Sequence, residues 1–93
     1  MKKYSLETIY VLDGRAMQTR ESAYSHIAAV LNFPDYFGRN LDALDDLLGE
    51  YGGSITLKNA GIMLNALGAY GCKLLEVFYD AANKCERLSF KVK

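Results

Sequence analysis

Tryptophan is absent from these 93 residues, and histidine and proline occur once each. Cysteine is scarce: Cys72 and Cys85 lack the close paired spacing of zinc or redox sites. With no secretion signal, they read as reduced thiols and not as a disulfide. The single histidine, His26, sits beside Ile27 and reads as a surface or half-buried residue. Serines and threonines are scattered without a partner, so no nucleophile–base pair is legible. Long apolar runs are also missing. The opening "MKKYSLETIYVL" starts basic, but its apolar run is short, is interrupted by Glu7 and Thr8, and leads to no small-residue cleavage site. Neither a signal peptide nor a membrane span is expected, and the chain reads as cytoplasmic. Net charge is zero, with 11 Lys and Arg against 11 Asp and Glu, which does not suggest a nucleic-acid partner.

What is present is a foldable chain. Hydrophobic residues make up 51% and charged residues 24%, with no low-complexity run, so a single globular domain over residues 1–93 is expected. "ETIYVL", from Glu7 to Leu12, reads as a strand, and Asp13-Gly14 as a turn. Thr19 is placed to cap a helix to about Leu31, with Ala23, Ile27, Val30 and Leu31 as its apolar stripe. Pro34 ends that element. Asn40 is placed to cap a second helix from Leu41 to about Tyr51, stopped by Gly52-Gly53. A strand at 54–58 follows, then a short helix Ala60 to Leu67 capped by Asn59, with Gly68 past its end. A longer helix is expected from about Tyr70 to Lys84, facing Leu74, Leu75, Phe78 and Ala82 inward. Arg87 to Val92 reads as the last strand. Strands separated by helices imply right-handed crossovers, so the fold class is α/β: a three-stranded parallel sheet packed with four helices.

Neutrality hides an asymmetry. Between Asn32 and Gly53 stand Asp35, Asp42, Asp45, Asp46 and Glu50 against Arg39 alone. On a helix at 100° per residue, Leu41, Leu44, Leu47, Leu48 and Tyr51 gather on one side. Asp42, Asp45, Asp46 and Glu50 gather opposite, and Asp42, Asp46 and Glu50 stack at i, i+4, i+8. Like charges so spaced cost a few tenths of a kcal/mol per pair, and no base on the helix neutralises them. Asp42 recovers part of this from the helix N-terminus. Just before lie Tyr36, Phe37 and Gly38. Aromatics beside charges on a rigid helix have the composition of a protein interface.

The stretch "FPDYFGRNLDALDDLL" resembles the inhibitory segment of the barstar family, intracellular ribonuclease inhibitors. The shared pattern runs from Leu31 to Asp46 and includes "NLDAL". The likeness extends over nearly the whole chain, in element order and in "LLEVFYDA" at 74–81. It implies a helix and loop that enter the active-site cleft of a basic, secreted, barnase-like ribonuclease in a one-to-one complex. Carboxylates there take the places of substrate phosphates, and no cofactor or metal is required. Asp42 and Asp46 match the two central carboxylates, with Asp46 in the phosphate site. Tyr36 matches an aromatic that packs on the nuclease's histidine, and Phe37 follows it without that family's second hydroxyl. Gly38, Asn40, Leu41 and Ala43 match backbone and packing contacts, and Asp80 matches a peripheral acid. Tyr51 stands near a tryptophan of the family, Asp45 in place of a large aromatic, and Arg39 in place of an acid. The resemblance also puts the first strand in the middle of the sheet.

Three other readings stay open. The same surface could bind a different nuclease or basic partner, as an antitoxin or interaction module does. The four helix acids could hold Mg²⁺ in an enzyme, although no base or nucleophile converges on them. Two helices joined around Pro34 suggest helix-turn-helix, but an acidic recognition helix would repel phosphates.

Overall fold

The computed structural model describes residues 8–93. Its elements are β1 (Ile9–Asp13), a single 3-10 turn (Gly14–Ala16), α1 (Arg20–Leu31), α2 (Leu41–Tyr51), β2 (Gly53–Lys58), α3 (Ala60–Leu67), α4 (Ala69–Lys84) and β3 (Leu88–Val92). The expected strand began at Glu7, which lies outside the described residues. The three strands are parallel in the order β1-β2-β3, with Tyr10 opposite Ile55 and Ile55 opposite Phe90. The middle strand is therefore β2 and not the first strand. Each helical excursion returns the chain beside the strand it left, as sequential elements usually do.

Right-handed crossovers that both advance in one direction place their helices on one face of the sheet. Gly53, Ile55 and Leu57 are buried on that face, with Leu12 and Leu88 beside them. On the other face Ile9 and Val11 are exposed. α1 packs against β1, α4 against β3, and α2 against α4.

Local chemistry explains the boundaries. The Thr19 hydroxyl accepts from the Ser22 N–H while the Ser22 hydroxyl accepts from the Thr19 N–H, a reciprocal cap that starts α1. Asn32, with φ of 58°, ends it in the left-handed conformation that asparagine tolerates. Gly52, which caps α2, and Gly53, the first residue of β2, carry φ of 76° and 110°. A Cβ on Gly53 would lie 2.7 Å from the Tyr10 ring, so the turn needs glycine on both counts.

Three expectations shift. Asn59 has φ of 56° and its side chain makes no cap, because capping needs extended backbone at that position. In α4 the buried stripe is Gly71, Leu74, Phe78 and Ala81, leaving Leu75 and Ala82 half-buried. In α1 Tyr24 is buried and Val30 only partly. No helix among the described residues is long and apolar enough to cross a membrane.

Candidate functional site: an acidic ridge on α2

Asn40 sets the start of α2. Its carboxamide oxygen accepts from the Ala43 N–H at 2.8 Å, and its Nδ2 donates to the Gly38 carbonyl at 3.3 Å. The bond to Ala43 satisfies one of the donors left open at a helix start. It also ties the Gly38 loop to the helix. The inner side of α2 is Leu44, Leu47, Leu48 and Tyr51, all buried, with Leu41 half-buried at the first turn. The apolar stripe fixes the roll of the helix and turns Asp42, Asp46 and Glu50 outward, where all three are exposed.

Those three carboxylates carry no ion pair among the described residues, whose salt bridges are Arg15–Asp13 and Lys84–Asp45. Asp45 is different. It is half-buried, and Lys84 of α4 donates to its two oxygens at 3.2 and 3.5 Å. The lysine comes from a neighbouring helix, which is why the sequence of α2 alone shows a wholly unneutralised stripe. Asp80 is exposed on α4, one turn before Lys84. Asp45 and Asp46 also line an open cleft of about 570 Å³ with Lys84, Cys85, Glu86 and Arg87. No group of three or more His, Cys, Asp or Glu converges as a metal site among the described residues.

The two loop aromatics part company. Tyr36 is 77% exposed, whereas Phe37 is 7% exposed and packs edge-on against Phe33 and Tyr24, with ring centroids at 5.1 and 5.8 Å. Tyr51 joins the same cluster, 5.2 Å from Phe33. Of the residues singled out from the sequence, Tyr36, Gly38, Asn40, Asp42, Asp46 and Asp80 are exposed. Leu41, Ala43 and Asp45 are half-buried, and Phe37 and Tyr51 belong to the core. Alternation of adjacent residues between surface and core is set by the turn after Pro34, where the Phe37 N–H donates to the Pro34 carbonyl at 3.0 Å.

The arrangement puts a row of carboxylates and one tyrosine on the surface, a match for a cationic partner. A protein of Bacillus subtilis (strain 168) named "Putative ribonuclease inhibitor YrdF" is 38% identical over 74 residues, 76% of this chain and 81% of the relative. Residues 7–93 match the family described as Barstar (barnase inhibitor), and the chain belongs to that family.

Proposed function

We propose that the protein is a one-to-one inhibitor of a basic, secreted ribonuclease of the barnase type, acting in the cytoplasm and without a cofactor. The observation that carries this reading is the ridge itself: three outward carboxylates, free of any ion pair among the described residues, with exposed Tyr36 before them. Family membership and the name of the Bacillus relative support a ribonuclease as the partner.

In this reading the ridge enters the nuclease cleft. Asp42 and Asp46 stand in for substrate phosphates against the enzyme's cations, and Asp46 occupies the phosphate site. Charge-assisted hydrogen bonds formed away from water are stronger than the same bonds in water. Repulsion along the unpaired ridge is relieved at the same moment. Tyr36 packs on an enzyme side chain. Gly38, Asn40, Leu41 and Ala43 give a pre-organised backbone that loses little entropy on docking. Phe37 and Tyr51 act from the core by fixing where that backbone lies. Asp80 meets the edge of the enzyme.

The experiment is a titration of barnase and other small basic ribonucleases acting on RNA. The expected result is loss of activity with an equivalence point at one inhibitor per enzyme. Steering by the ridge should also make the association rate fall roughly tenfold or more between low and high salt. Full activity of every such enzyme at excess inhibitor would move the reading to a different nuclease or basic partner.

A further inference from the structure

Beside the ridge, on the α1 side of the Gly38 loop, lies an open cleft of about 350 Å³ lined by Arg20, Glu21, Tyr24, Arg39, Asn40 and Tyr70. It has the opposite electrostatic character. The Arg20 guanidinium lies over the Tyr70 ring, 4.0 Å from its centroid. A guanidinium stacked by its face keeps its edge N–H groups available. Arg39 spends one N–H on the Ser25 hydroxyl at 2.8 Å, and its other donors make no side-chain hydrogen bond among the described residues. Neither arginine has a carboxylate in ion-pair range among the described residues, and Glu21, on the same cleft, pairs with neither. The floor is the hydroxyl pair of Tyr24 and Tyr70, 2.5 Å apart. Burial, and then that hydrogen bond, push the Tyr24 phenol well above its ordinary range, so it stays neutral.

Arg39 also holds an unfavourable backbone. Its φ is 56°, in the left-handed region, although it is neither glycine nor asparagine. An arginine kept in that conformation, at the last position before the cap of α2, points to a use for its guanidinium.

We propose that this cleft receives an aspartate or glutamate side chain of the partner ribonuclease, so that the interface is bipolar: acidic ridge against enzyme cations, arginine cleft against an enzyme acid. The inference rests on the inhibitor reading and names a second recognition element for it. A carboxylate matches the guanidinium fork in both charge and geometry. A nucleic-acid phosphate chain suits the site less well, because the acids of α2, the helix that Asn40 caps, repel it. Such an acid would select among ribonucleases that share a basic catalytic cleft, because a nuclease with a lysine at this rim would meet two unpaired cations.

Two arms test it. In the first, the full chain is titrated at low salt with N-acetylglutamate amide, and separately with inorganic phosphate, while the arginine Nε–Hε signals are followed by NMR. Saturable shifts at Arg20 and Arg39, absent from the Arg20→Gln/Arg39→Gly variant, are expected with the carboxylate. Shifts no larger than those of Arg15 and Arg87, or saturation by phosphate alone, overturn the proposal. In the second arm, Arg39→Gly is assayed against a ribonuclease that the parent inhibits, barnase first. The left-handed position suits glycine, so the melting temperature should hold or rise. Inhibition should weaken about tenfold, the scale of one charge-assisted hydrogen-bonded pair. Loss of inhibition in Asp46→Ala with none in Arg39→Gly overturns the cleft and leaves the ridge standing. If the parent inhibits no ribonuclease, the functional reading fails and the carboxylate titration alone decides the cleft.

Discussion

One carboxylate on β1 and a row of three on α2 sit at opposite extremes of partnership in this molecule. At the end of β1, Asp13 is saturated. Its oxygens accept from the Arg15 side chain at 2.8 to 3.2 Å, from the Arg15 N–H at 3.0 Å and from Asn59 Nδ2 at 2.9 Å. Its own N–H donates to His26 Nε2 at 3.0 Å. The Arg15 side chain first, then Asn59, holds the Asp13 carboxyl far below the usual carboxylate range. Packing there is tight enough that a Cβ on Gly14 would lie 2.1 Å from the Asn59 carbonyl oxygen. On α2 the roles are reversed: apolar side chains hold the helix, and the acids Asp42, Asp46 and Glu50 are left with no ion pair among the described residues. An acid wired into the fold is used up as a recognition element. An acid left unpaired costs a little repulsion in the free protein and is available to a partner.

The largest test of that contrast is Phe37→Ala. If the ridge is supported by rings beneath it and not by ions, removing Phe37 should cost about 3–5 kcal/mol of stability, the range for truncating a buried phenylalanine. Urea unfolding would show it. A loss below about 1 kcal/mol would mean that the loop does not depend on the ring cluster.

Next is Asp46→Ala. No core cavity forms, and repulsion with Asp42 and Glu50 is relieved, so the melting temperature should hold or rise slightly. In the complex, stranded enzyme cations should cost roughly 2–5 kcal/mol, read from the inhibition constant. A drop of many degrees in melting temperature, or unchanged inhibition, would dissolve the distinction between the two regions.

Asp13→Asn should do the opposite: lower the melting temperature and leave inhibition alone. Its folded pKa lies below the unfolded value near 3.9. The stability it contributes is therefore present above about pH 4 and is lost as pH falls below that. Melts from pH 7 to pH 2 should show an acid-side decline in the parent that is smaller in the variant. An unchanged profile would assign that decline to other groups.

The smallest effect is expected from Lys84→Met. The Lys84–Asp45 pair is partly exposed, and such pairs contribute about 1 kcal/mol or less. Its loss should barely move the melting temperature. A larger shift would make α2 an ionically held helix after all, closer to the Asp13 corner than it looks.

Much of this is legible in the sequence alone. The caps Thr19 and Asn40, the extent of α2 and the α/β class all follow from periodicity and punctuation that act within a few residues. The outward turn of Asp42, Asp46 and Glu50 follows from the leucine stripe in the same way. The split between Tyr36 and Phe37 was not legible, because a hydrophobic ring in a loop is buried or exposed according to what lies under it. Here that is Phe33, four positions back in the same loop, and Tyr24 of α1. Nor was the Asp45 bridge, whose lysine stands 39 positions away.

The sequence by itself determined which segments are helix and strand, and that one helix has an acidic back, since both are set by side chains within two or three turns. The tertiary structure alone decided that β2 is the central strand and that Asp45 is tied down while Asp46 is not. It also decided that Arg20 and Arg39 share a cleft with two tyrosines. Each of these depends on residues far apart in the chain, and only the packing of α1, α2 and α4 over one sheet brings them together.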